Sequence, residues 1–190
     1  MNESQSTSES KFTPWQSLTD YRLETLELII TGLENSITYL ESKMDEHSWY
    51  DGGWFIDESE AIYGLAFIAF QNYINYTISD FYGNEIKDKT ERLSNFYNLS
   101  LKENQTQSHI SLIIATANFY KHQNESLHGS TANLLAAFNI TELNNIDNSP
   151  LAHAVQILSP NGKLMDIIQT LTEWRKELSE FYIQSKSKMN

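Results

Sequence analysis

From Leu23 onward, apolar residues recur at Leu23, Leu26, Ile30, Leu33, Ile37, Leu40 and Met44, an unbroken alternation of three- and four-residue steps. An α-helix gathers such a set onto one side, because its 3.6-residue turn stacks them as a stripe. The pattern predicts a helix packed lengthwise against partner helices, starting at the capping-box sequence Ser17-Leu-Thr-Asp20 and ending near Met44. A second register runs beside the first. Asp20, Glu27, Glu34 and Glu41 repeat every seven residues on one flank, with Glu24 and Asp45 next to them. At 1.5 Å of rise per residue this acidic stripe extends roughly 30 Å. A face built for helix stability would alternate Glu with Lys or Arg at i,i+4, whereas this helix offers only Arg22 and Lys43.

The charge imbalance is local. Residues 1–60 hold 13 Asp+Glu against 3 Lys+Arg, a net of −10, while the other 130 residues hold 12 acids and 10 bases, for −12 overall. That asymmetry concentrates a negative field on one part of the surface. It argues against contact with nucleic acid, whose phosphates call for clustered Lys and Arg, and it suits a basic protein partner. The plain alternative is a solvated helix face that only keeps the surface soluble.

At 190 residues the chain has the length of one domain with a substantial core. It contains no cysteine, which excludes disulfides and thiolate chemistry and fits a cytoplasmic location. Residues 1–12 are Ser/Glu/Asn-rich without periodicity and are expected to form a disordered tail rather than a signal peptide; residues 13–190 are expected to form the domain. The longest apolar run, Ala61 to Phe70, is far too short to cross a membrane.

After the first helix, Gly52-Gly53 predicts a break between two tryptophans, Trp49 and Trp54. Asp57-Glu-Ser-Glu60 then reads as the cap of a second helix that Gly83 ends near Phe81. This helix is apolar almost all round, with Ile62, Leu65, Phe67, Ile68, Phe70, Tyr73, Ile74 and Ile78, and should be the buried centre. Further helices are predicted over about 87–102, 108–122 and 132–138. Ser149-Pro150 and Ser159-Pro160 read as N-caps followed by Pro at the first helical position, starting a short helix to Leu158 and a longer one to Gln184. Nothing reads as a strand. The expected fold is an all-α, single-domain bundle of five to seven helices around a buried central one.

Candidate chemistry is sparse. The five histidines are scattered, with no H-E-x-x-H spacing, and there is no phosphate loop or nucleophile motif, so no catalytic residue, metal or cofactor is expected. Asp57, Glu58 and Glu60 read as acids meeting a helix dipole. Asn118 and His122 share a helix face, as do Asn72, Asn75 and Ser79 on the second helix, and the two sets are expected to meet in a polar core network. Trp49, Tyr50 and Trp54 are open between two roles, lids on the core or anchors for a partner.

The helix that ends Asn118-Phe-Tyr-Lys-His122 resembles the HEPN group of helical proteins, whose ribonuclease members carry Arg, a few variable residues and then His. His122 matches the histidine. The positions for arginine, Ala115, Thr116 and Ala117, do not match, so the resemblance implies the fold and argues against the enzyme. The run Trp49-Tyr-Asp-Gly-Gly-Trp54 through Ile74, with Ala117–His122 and Glu173-Trp-Arg175, is similar to small bacterial immunity proteins, including those of contact-dependent growth inhibition. That similarity implies one-to-one inhibition of a toxin domain, often a nuclease, by covering its active site. On this reading a basic toxin would meet some of Asp20, Glu24, Glu27, Glu34, Glu41, Asp45, Asp51 and Asp57, with Trp49 or Trp54 as an aromatic anchor. Charge reversal at Glu27 and Glu34 would weaken that contact and leave folding intact. A HEPN-like ribonuclease, or a helical scaffold without a toxin partner, is the alternative.

Overall fold

The computed structural model describes residues 19–83, 89–99, 101, 106–125, 128–141 and 149–187. The tail expected over residues 1–12, and Ser17 of the expected capping box, lie outside them. Among the described residues the chain is all-α: α1 Leu23–Glu46, α2 Gly52–Tyr82, α3 Lys89–Arg92 running into a π-helical turn Leu93–Tyr97, α4 His109–His122, α5 Gly129–Ala136, α6 Pro150–Leu158 and α7 Leu164–Ser187. No strand occurs among these residues.

The apolar seam of α1 buries Leu26, Ile30, Ile37 and Leu40, with Leu23 and Leu33 packed at the margin of the core. Asp20 stands just before the first turn of α1, which begins at Leu23. One carboxylate oxygen of Asp20 accepts the backbone N–H groups of Arg22 at 3.3 Å and Leu23 at 3.1 Å, satisfying donors that the first turn leaves free.

The glycine pair does not break the chain where expected. Gly52 and Gly53 form the first turn of α2, because Asp51 caps it, accepting from Gly53 N at 3.0 Å and Trp54 N at 3.2 Å. A strong cap at that position outweighs the entropic cost of glycine in a first turn. Asp57 and Glu58 therefore lie one to two turns inside the helix and do not cap it. Gly83 closes α2 with φ of 67°, a conformation open to glycine.

α2 is the central helix. Phe67, Phe70, Ile74 and Ile78 are fully buried, and the helix packs on α1, α4, α6 and α7. The rings of Phe67 and Phe70 meet edge to face, 6.2 Å apart. Gly64 sets the approach of α4: a Cβ there would lie 2.4 Å from the ring of Tyr120. Trp174 of α7 is fully buried, and its indole N–H donates to the carbonyl of Phe96 at 2.8 Å, the partner a buried indole requires.

Ser149 caps α6 as expected, accepting from Ala152 N at 3.4 Å with Pro150 in the first turn. Ser159-Pro160 does not start α7. Ser159 ends α6, its N–H donating to Val155 O at 2.7 Å, and its hydroxyl accepts Lys163 N at 3.0 Å while donating to Asp166 at 2.8 Å. The turn passes through Gly162 at φ of 71°, and α7 begins at Leu164. Its free N–H at Met165 is capped from another helix, by Glu34 of α1 at 3.1 Å.

Candidate partner-binding surface

The acidic stripe divides into a structural part and a free part. Asp20 is one-sixth exposed at its side chain, its Oδ2 lies 3.2 Å from Nε of Arg175, and the Tyr73 hydroxyl donates to that same oxygen. Burial, then this bond to a carboxylate, raises the Tyr73 phenol above its ordinary range. Glu34 is committed to the N-terminus of α7, where a carboxylate meets the positive end of the helix dipole. Two residues expected to face a partner are therefore held by the fold, and compensation for the stripe comes partly from α7 rather than from lysines on α1. Burial together with Glu41 and Glu34 pushes the nearby Tyr63 phenol up to about 12.

Glu24, Glu41, Asp45 and Asp57 are exposed, and Glu27 is half-buried. Among the described residues none of these five forms an ion pair. Asp51 is exposed while it caps α2.

The three aromatics of the α1–α2 connection separate by role. Tyr50 belongs to the core, 2% exposed; its hydroxyl donates to Glu58 at 2.9 Å, and the ammonium of Lys43 lies 4.2 Å from the centre of its ring. Lys43 also pairs with Glu58 at 2.7 Å. The hydrogen bonds from Lys43 and Tyr50 hold the Glu58 carboxyl below its ordinary range, and the bond to Glu58 raises Lys43. Trp49 and Trp54 stand outside, 62% and 53% exposed. Trp49 stacks on His47 at 5.6 Å and meets Tyr50 and Trp54 edge-on at 5.7 and 6.4 Å. A buried, bonded tyrosine thus supports an exposed tryptophan pair at the tip of the helical hairpin. Asp45, Glu46, Asp51 and Asp57 lie along the chain on either side of it, all exposed. Glu60 is raised above the usual carboxylate range by burial and then by the charge of Asp57.

The expected polar network forms through a different residue. Gln71, not Asn72 or Asn75, reaches α4: its amide N–H donates to Asn118 at 3.0 Å and its carbonyl accepts from Lys121 at 2.6 Å. Asn72 is exposed, and Asn75 turns instead to Arg92 at 3.1 Å and Tyr97 at 3.3 Å. His122 faces outward, with Nδ1 2.9 Å from Glu125 and its ring 6.2 Å from that of His128. Ala115, Thr116 and Ala117, where the HEPN-like pattern would place arginine, are buried, and Lys121 is directed to Gln71.

Among the described residues no three His, Asp or Glu side chains gather as a metal site, and no helix is long and apolar enough to cross a membrane. No known protein family, curated protein or solved structure matches the chain.

Proposed function

We propose that this chain is a stoichiometric inhibitor that binds a basic protein domain one to one through the acidic, aromatic tip of the α1–α2 hairpin. A toxin domain with a positive substrate cleft, such as a nuclease, is the partner it fits. The observation that carries this reading is the Trp49–Trp54 pair, half or more exposed and bordered by acids that form no ion pair among the described residues. Tryptophan faces attract Lys and Arg, and flanking carboxylates pair with the same cations. Large aromatics surrounded by polar residues are also the usual anchors of protein interfaces. The long-range negative field supplies the second half of the reading. It accelerates encounter with a basic cleft and competes with the phosphates that the cleft would otherwise hold.

The test is association kinetics with purified basic nuclease toxin domains, measured at rising salt. Binding should slow markedly between 0.05 and ~0.5 M salt as screening shortens the field. Trp49→Ala should accelerate dissociation by about tenfold or more. Charge reversal at Asp45 and Asp57 should lower the on-rate and the protection of cells. An affinity indifferent to all three changes would remove the tip as the binding site.

A further inference from the structure

The outer face of the α1–α2 hairpin carries a second surface, separate from the acidic tip. Tyr21, just before α1, and Thr25, Leu28, Gly32 and Tyr39 on it are spaced by three, four or seven residues, with Ile29 beside them, and all are exposed. On α2, Ala61, Leu65, Asn72 and Tyr76 are spaced by four or seven residues and are likewise exposed. Contacts at both ends place the two stripes on one side of the hairpin. Lys43 meets Glu58 at the tip; at the base, Tyr21 donates to Asp80 at 3.3 Å and the Arg22 guanidinium lies 4.9 Å from the ring centre of Tyr76.

Tyr21, Leu28, Ile29, Tyr39, Leu65 and Tyr76 are between 47% and 70% exposed. Together they present on the order of 700 Å² of side chain, close to the ~800 Å² that each partner gives to a standard interface. Isolated exposed apolar residues need no explanation, but six aligned on two adjacent helices form a patch of the kind that monomers avoid.

The charges indicate what covers it. The end pairs Lys43–Glu58 and Arg22–Asp80 are neutralised internally. Asp20 and Glu34 turn to the opposite flank of α1, against α7, and Glu24 alone of the α1 stripe borders the patch. The six side chains of the patch are themselves uncharged and offer a basic partner little to select. They offer a second copy a face that meets itself without opposing the two chains' acids. At Gly32 a Cβ would meet no atom within 4 Å, so the fold does not require glycine there, and its bare backbone leaves room for a close approach from outside.

We infer that two copies of this chain pair through this face, laying hairpin against hairpin as a four-helix bundle with the acidic tips left outward. The inference stands independently of the proposed toxin partner. The test is sedimentation velocity on the full chain, from micromolar to several hundred micromolar, with Leu28→Glu and Leu65→Glu as variants. Both sites are exposed, so helicity and melting should be unchanged, and these are checked by circular dichroism. The 21.9 kDa chain should sediment increasingly as a dimer with concentration. Rising salt should strengthen pairing, since copies of charge −12 repel at long range; salt acts with the opposite sign on a basic partner. Each variant should weaken pairing at least about tenfold, because a carboxylate would have to be buried at the contact, and should leave capture of the basic domain unchanged. A chain monomeric throughout, or a dimer indifferent to both variants, overturns the inference. So does loss of basic-domain binding in the variants, which would make this face the toxin's seat.

Discussion

Asp20 and Arg175, 155 residues apart in sequence, meet at 3.2 Å and join the entry of α1 to the middle of α7. Tyr73 of α2 shares the same carboxylate, so three helices converge on one side chain. Asp20→Ala should cost about 2–3 kcal/mol, less than a fully buried pair because both groups keep some water contact. Asp20→Asn retains the cap on Leu23 and should recover part of the loss. Urea unfolding of both variants measures this, and a neutral Ala variant would reduce the junction to decoration.

Glu34 and Glu41 share the same heptad position but should respond differently. Glu34→Lys removes the cap on Met165 and places a cation at a helix N-terminus, lowering stability by about 1–2 kcal/mol. Reversal at Glu34 is therefore expected to weaken folding as well as any partner contact. Glu41→Lys should be close to neutral in the same denaturation experiment.

The Lys43–Glu58 pair predicts a pH window. The Glu58 pKa is lowered from 4.5, so its contribution is present above that value and lost as pH falls through the folded-state pKa. Lys43 is raised from 10.5, so its contribution is present below that value and lost as pH rises through the folded-state pKa. The melting difference between the natural chain and Glu58→Gln should be flat between these limits and shrink outside them. A difference constant from pH ~3 to ~11 would mean that the pair does not stabilise the hairpin.

Gly64→Ala should destabilise, although alanine favours a helix by about 1 kcal/mol. The new methyl would lie 2.4 Å from the Tyr120 ring, an overpacking that costs about 1–3 kcal/mol. Adding Tyr120→Leu should return part of the loss in thermal melts. If the single variant is more stable, α4 shifts freely and the contact does not fix the helix spacing.

Phe67→Ala and Phe70→Ala should each cost about 3–5 kcal/mol, as both are fully buried in the central helix. Mild losses in both would place the centre of the core elsewhere.

The seam of α1 was readable because its period is visible within the helix: Leu26, Ile30, Ile37 and Leu40 all face inward. The phase of α2 was not. A helix apolar on nearly every side gives no sequence signal for which side meets which neighbour, so Gln71 rather than Asn75 reaches Asn118, and Leu65 ends in solvent. The roles of Asp20 and Glu34 were hidden for another reason. Their partners Arg175 and Met165 lie more than 130 residues away, and a heptad count cannot tell an acid that caps a distant helix from one left free. Trp49 and Tyr50 were indistinguishable as neighbours in a loop; only the bonds of Tyr50 to Glu58 and Lys43 divide anchor from core.

The π-helical turn at Leu93–Tyr97 has a consequence for how this chain tolerates change in length. Such a turn accommodates one residue more than an α-helical ladder would hold. Here the carbonyls at its end are spoken for, Phe96 by the Trp174 indole and Tyr97 by the Ser108 hydroxyl. Deleting a single residue from 93–97 would tighten the coil to α-helix and rotate Phe96 by about 100°. The indole would be left buried without an acceptor. Descendants of this chain can therefore lose a residue from an exposed turn cheaply, but not from this one without altering α7 as well.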